Sequence, residues 1–106
     1  MSAAALAWLA ERVPPAPAPL YERMAAAVGT QHDASVPAAL AEAALTRLHA
    51  ALALGDARAA AFELLAADAL LSYAFEAAAE LGVDTLEAVI DAYGPARMAP
   101  LITVDE

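Results

Sequence analysis

The chain has 106 residues, is 62% hydrophobic and carries a formal net charge of −9. Its five cations (Arg12, Arg23, Arg47, Arg58 and Arg97) are scattered, so repulsion argues against nucleic acid and against an anionic membrane surface as partner. Cysteine is absent, which excludes disulfides, thiolate nucleophiles and thiolate metal sites, and a cytoplasmic location is expected.

Ser2 is a suitable N-cap for a first, short helix through Leu6, Trp8 and Leu9 to Arg12. This apolar start lacks the basic region of a signal peptide, and Glu11 and Arg12 end it early, so no export signal is expected. The segment Val13-Pro14-Pro15-Ala16-Pro17-Ala18-Pro19 cannot continue a helix, because each proline ring removes an N–H and biases the preceding residue toward extended geometry. It reads as a polyproline-like spacer rather than a ligand for an aromatic-lined groove.

A second helix is predicted from about Pro19 to Val28, closed by Gly29 in a left-handed conformation. After a polar loop, Ser35 caps a third helix with Pro37 in its first turn, running to Leu54 before Gly55. Ala41, Leu45, Leu48 and Leu52 recur every three or four residues and define its core seam.

Asp56 caps a fourth helix to Leu81, with Gly82 beyond it. Leu64, Leu71, Phe75 and Ala78 form one apolar stripe, flanked by Leu70, Ala74 and Leu81, while Phe62, Ala66 and Tyr73 cover another side. Only Arg58, Asp68, Ser72, Glu76 and Glu80 gather into a polar strip, so this helix is expected at the centre of the bundle. Asp84 and Glu87 have capping-box spacing and open a fifth helix through Leu86, Val89, Ile90 and Tyr93, ended by Gly94-Pro95. Charges interrupt every apolar stretch short of the roughly 18 residues that a membrane span needs. The tail after Pro100 is expected to be irregular, ordered only by a partner or a second subunit.

Chemistry is sparse. His32-Asp33 and His49 are the entire imidazole supply, and the Glu-x-x-His pair of di-iron bundles is absent, so no metal site or cofactor is expected. His49 shares an edge with Glu42 and Leu45 and reads as a boundary residue hydrogen-bonded to a carboxylate. Asp68, Ser72 and Glu76 stack on one face as a solvated strip; Asp68 is the best candidate for a buried carboxylate, and nothing brings a base to Ser72. The four glycines fall singly at helix ends, so there is no phosphate loop, and no catalytic residue is assigned.

The stretch Ala66-Ala67-Asp68-Ala69-Leu70-Leu71-Ser72-Tyr73-Ala74-Phe75-Glu76 resembles one helix of the trans-prenyltransferase family. The Asp-rich motifs that hold magnesium and diphosphate there have no counterpart in this sequence, so the resemblance implies a shared way of packing helices and no activity.

The expected fold is all-α: a compact bundle of four to five helices, the third and fourth forming an antiparallel hairpin. One domain spans 1–106, with the short helix and spacer over 1–19, a helical core over 20–95 and a tail over 96–106. The function expected is a non-catalytic protein interaction or self-assembly module whose partner is a second copy, as a homodimer, or another protein, with Trp8, Leu9, Phe62, Leu70 and Tyr73 as candidate interaction surface. The alternative is a small-molecule-binding bundle with an apolar pocket lined by Leu64, Leu71, Phe75 and Trp8.

Overall fold

A computed structural model describes residues 3–12, 15–31 and 35–94. Five helices and no strand occur among them: α1 (Ala3–Ala10), α2 (Ala18–Gly29), α3 (Val36–Ala53), α4 (Ala57–Leu81) and α5 (Val83–Tyr93). The Ser2 cap, Val13-Pro14 of the spacer, His32-Asp33 and the tail lie outside the described residues.

Two caps fall where side-chain chemistry places them. Ser35 Oγ accepts from the Ala38 N–H at 3.3 Å, with Pro37 inside the first turn of α3. Asp56 Oδ1 accepts from the N–H groups of Arg58 at 2.8 Å and Ala59 at 3.3 Å. The three residues between α3 and α4 therefore make a tight hairpin connection.

The ends of α3, α4 and α5 fall at Leu54, Gly82 and Gly94 as expected, whereas the end of α2 and the start of α5 do not. Gly29 is helical, and Thr30 closes α2 through its hydroxyl, which donates to the Ala27 carbonyl at 2.8 Å. No capping box forms at Asp84: α5 starts at Val83, and Asp84 instead sits in its first turn, where a negative charge favours the helix dipole. Gly82 alone separates α4 from α5, with φ 128° and ψ 166°, a region essentially restricted to glycine. At Gly94 a Cβ would press into the Ile90 carbonyl, so this last turn also requires glycine.

The core is lined largely by alanine. On α3, nine of 18 residues are buried, including Ala39, Ala41, Ala43, Ala44 and Ala51 beside Leu40, Leu45 and Leu48. The buried ridge of α4 is Glu63, Ala66, Ala67, Leu70, Ala74, Ala77 and Ala78. Small side chains on both facing ridges let the two backbones approach, so contact density replaces side-chain bulk. Ala5 and Leu9 of α1 and Met24, Ala27 and Val28 of α2 close the same cluster.

Both helices of the hairpin are central: α3 touches all four others, and α4, expected at the centre, meets α2, α3 and α5 and takes the Trp8 side chain of α1. The stripe expected to bury α4 does not do so: Leu64 is 46% exposed, and Leu71 and Phe75 are half-buried, leaving only Ala78 fully inside. The wheel weights leucine above alanine, whereas the close α3 contact selects the alanine side of α4. Leu52, expected in the α3 seam, is 56% exposed, because it lies in the last turn before the hairpin connection.

Polar pins tie the outer helices to this hairpin. The Tyr93 hydroxyl of α5 donates to Glu42 Oε2 of α3 at 2.7 Å. Glu63 of α4, buried, pairs with Arg23 of α2 through Oε2 and with Nη1 of Arg47 of α3 at 3.3 Å, so one carboxylate joins three helices. Arg23 also lies 5.3 Å over the Phe62 ring, and Arg47 Nε is buried with no hydrogen-bond partner.

Removing the Glu63 carboxylate leaves two guanidiniums facing each other, a loss that reaches ~3–5 kcal/mol for fully buried pairs. Arg23 reaches solvent and relieves part of it. Urea denaturation of Glu63→Ala is expected to show a loss of about 2–3 kcal/mol, and a change below ~0.5 kcal/mol would mean that the three-helix pin is dispensable.

Candidate functional site

Trp8 of α1 and Arg12, two residues beyond its end, both reach the last turns of α4. The indole Nε1 donates to Glu80 Oε1 at 2.9 Å. Arg12 Nη1 donates to Glu76 Oε2 at 2.9 Å and to Glu80 Oε2 at 3.2 Å. Its guanidinium stacks 3.6 Å over the Trp8 ring while Nε donates to the Trp8 carbonyl at 3.1 Å. On its other side Trp8 meets Tyr73 edge-on, with ring centroids 6.0 Å apart at 74°.

Charge follows this geometry. The Trp8 indole N–H, and then Arg12, hold the Glu80 carboxyl below its ordinary value against the opposing effect of burial. Burial works against the Arg12 charge, but the two carboxylates outweigh it and raise its pKa. The first helix is thus docked on its own bundle, with Ala5 and Leu9 inserted in the core and the Trp8–Arg12 pair clamped outside.

The five residues read from the sequence as an interaction surface fall in different places. Leu9 and Leu70 are buried, at 3% and 0% exposure, and are therefore part of the chain's own core rather than of an accessible surface. Trp8 and Tyr73 are brought together, half-buried against each other, and Phe62 lies half-buried under Arg23. Arg12, Glu76 and Glu80 complete the clamp without having been read as its parts. Only the four-residue step from Trp8 to Arg12 hinted at it, since the carboxylates come from a helix more than 60 residues away.

Asp68, Ser72 and Glu76 are exposed, as a solvated strip requires, so Asp68 is not the buried carboxylate for which it was the best candidate; His49 is exposed as well. Among the described residues His49 makes no hydrogen bond to a carboxylate. Among the described residues no group of three or more His, Asp or Glu could hold a metal ion, and no helix is long and apolar enough to cross a membrane.

A partly open groove of about 250 Å³ lies beside the clamp, lined by Trp8, Ser35, Val36, Ala77, Glu80 and Leu81. Of the residues expected to line a ligand pocket it contains Trp8 alone. Leu64 and Leu65 form an exposed pair on the outer face of α4, and Leu81, Val83 and Ile90 are exposed around the α4–α5 corner. Comparison with protein-family models, curated proteins and solved structures finds no match to this chain.

Trp8 is the sole tryptophan, so its fluorescence reports on the clamp. Because Glu80 has a lowered pKa in the folded chain, its contribution is present above its unfolded value of 4.5 and is lost as pH falls through the lower folded value. Emission is expected to shift to the red below pH 4.5, with a smaller step in Glu80→Gln. An unchanged emission down to about pH 3 would contradict this linkage.

Proposed function

We propose that this chain is a non-catalytic helical interaction module that assembles through its exposed helix faces, with another copy of itself as the first partner. The supporting observation is the placement of its large apolar side chains: Leu64, Leu65, Leu81 and Val83 are 46%, 52%, 64% and 69% exposed, while alanines fill the core. Large apolar side chains exposed in neighbouring pairs, Leu64 with Leu65 and Leu81 near Val83, are costly to leave in water, and association is a common reason for them.

Its polar clusters have structural work. Glu63, Glu76 and Glu80 are committed to arginines that join helices, which is the use expected of them in a scaffold. The compartment assigned is a reducing cytoplasm, on the ground that a chain without cysteine draws no stability from an oxidising one.

The groove beside Trp8 favours a second reading, in which it takes a small apolar molecule. Its volume of about 250 Å³ is below the ~300–1,000 Å³ usual for ligand pockets, and it is open to solvent on one side, so the interaction reading takes precedence.

Light scattering over a concentration series tests the first reading. A mass rising from 10.8 kDa toward twice that value is expected, and a constant 10.8 kDa at all concentrations would contradict self-assembly.

A further inference from the structure

The outer face of α4 carries a pattern that names its partner. Arg58, Ala61, Leu65, Asp68 and Ser72 follow one another at steps of three, four, three and four residues, the spacing of a coiled-coil seam. All five are exposed, and they lie opposite the ridge that packs on α3, so the seam is free of intramolecular use.

Along it Arg58 and Asp68 carry opposite charges. Arg12, Arg23 and Arg47 each pair with a carboxylate, whereas Arg58 makes no ion pair among the described residues, and Asp68 makes none either. Its centre alternates small and large, with Ala61 followed by Leu65.

We propose that two copies of this chain associate through α4, antiparallel about a two-fold axis level with residue 63, so that Arg58 meets the partner's Asp68 and Ala61 meets the partner's Leu65. This inference rests on the assembly reading and gives it a specific face. An antiparallel seam brings first-type positions of one helix against second-type positions of the other, and the register centred on residue 63 satisfies both couples at once.

Two-fold symmetry repeats each couple, giving two Arg–Asp pairs flanking two Ala–Leu contacts. Leu64 lies beside the axis, next to its own symmetry mate, which supplies a use for that exposed side chain as well. A parallel pairing would instead put Arg58 against Arg58 and Asp68 against Asp68, so charge selects the antiparallel arrangement. The net charge of −9 on each copy opposes association, so a pairing that also matches the cation Arg58 with an acid is favoured over apolar contact alone.

A charge-reversal cycle tests the register, because all the substituted positions are exposed and far-UV circular dichroism verifies that each variant folds. By sedimentation equilibrium, Arg58→Asp and Asp68→Arg are each expected to raise the dimer dissociation constant about tenfold, since symmetry applies each repulsion twice. The double variant restores both pairs with exchanged signs and is expected within about threefold of the parent, while Leu65→Glu abolishes the dimer. A parent chain that dimerises without responding to the single reversals, or without rescue in the double variant, overturns this register and leaves assembly through another face. A parent chain that stays monomeric overturns the register and self-assembly together.

Discussion

The contact between α3 and α4 is the constraint on which everything else depends. Two helices faced with Ala41, Ala44, Ala66, Ala74 and Ala77 have little side-chain volume between them, and such a seam is stable only if the helix backbones come close and stay straight enough to remain in contact over many turns. The three-residue hairpin with its Asp56 cap fixes the pair antiparallel. Once the alanine sides are committed inward, the leucines at 52, 64 and 65 have nowhere to go but outward. The apolar exterior is therefore a consequence of the core's geometry, and it supplies the surface on which the proposed function rests.

The small helices need more than apolar contact. The first helix has eight residues and is too short to be stable alone in water, so its order comes from docking. Ala5 and Leu9 contribute the buried part, and the Trp8–Arg12–Glu76–Glu80 clamp fixes orientation at the rim. The second helix is held in a comparable way by Arg23, which shares Glu63 with Arg47. Three of the arginines are thus used as cross-braces between helices, a role suited to a planar donor fork. Among the described residues most of the carboxylates are on exposed side chains.

Much of the helix layout could be read from local chemistry. Ser35 with Pro37, and Asp56 before an apolar run, are strong start signals that depend only on nearby backbone groups, and they hold to the residue. The start of α5 is not legible from spacing, because Asp84 and Glu87 match a capping box while Gly82, with its positive φ, takes the N-cap position two residues earlier. Burial was less legible. Leu64 and Leu52 looked like core residues because hydrophobicity per residue favours leucine, whereas close packing favours alanine, and no single-helix wheel shows which side a neighbouring helix will choose. The candidate surface suffered from the same limit, since Leu9 and Leu70 became core once their partners were in place. Glu80 and Arg12 meet only through the tertiary fold, which local spacing does not encode.

The most direct measurement of the alanine-seam account is the unfolding free energy of a buried enlargement beside that of an exposed truncation, by urea denaturation at low protein concentration. Ala74→Leu puts bulk into a fully buried position and is expected to cost about 1–3 kcal/mol. Leu52→Ala removes an exposed side chain and is expected to change stability by less than about 0.5 kcal/mol. The reverse order, with Ala74→Leu tolerated and Leu52→Ala strongly destabilising, would contradict the account, because it would place the leucines and not the alanines at the heart of the bundle.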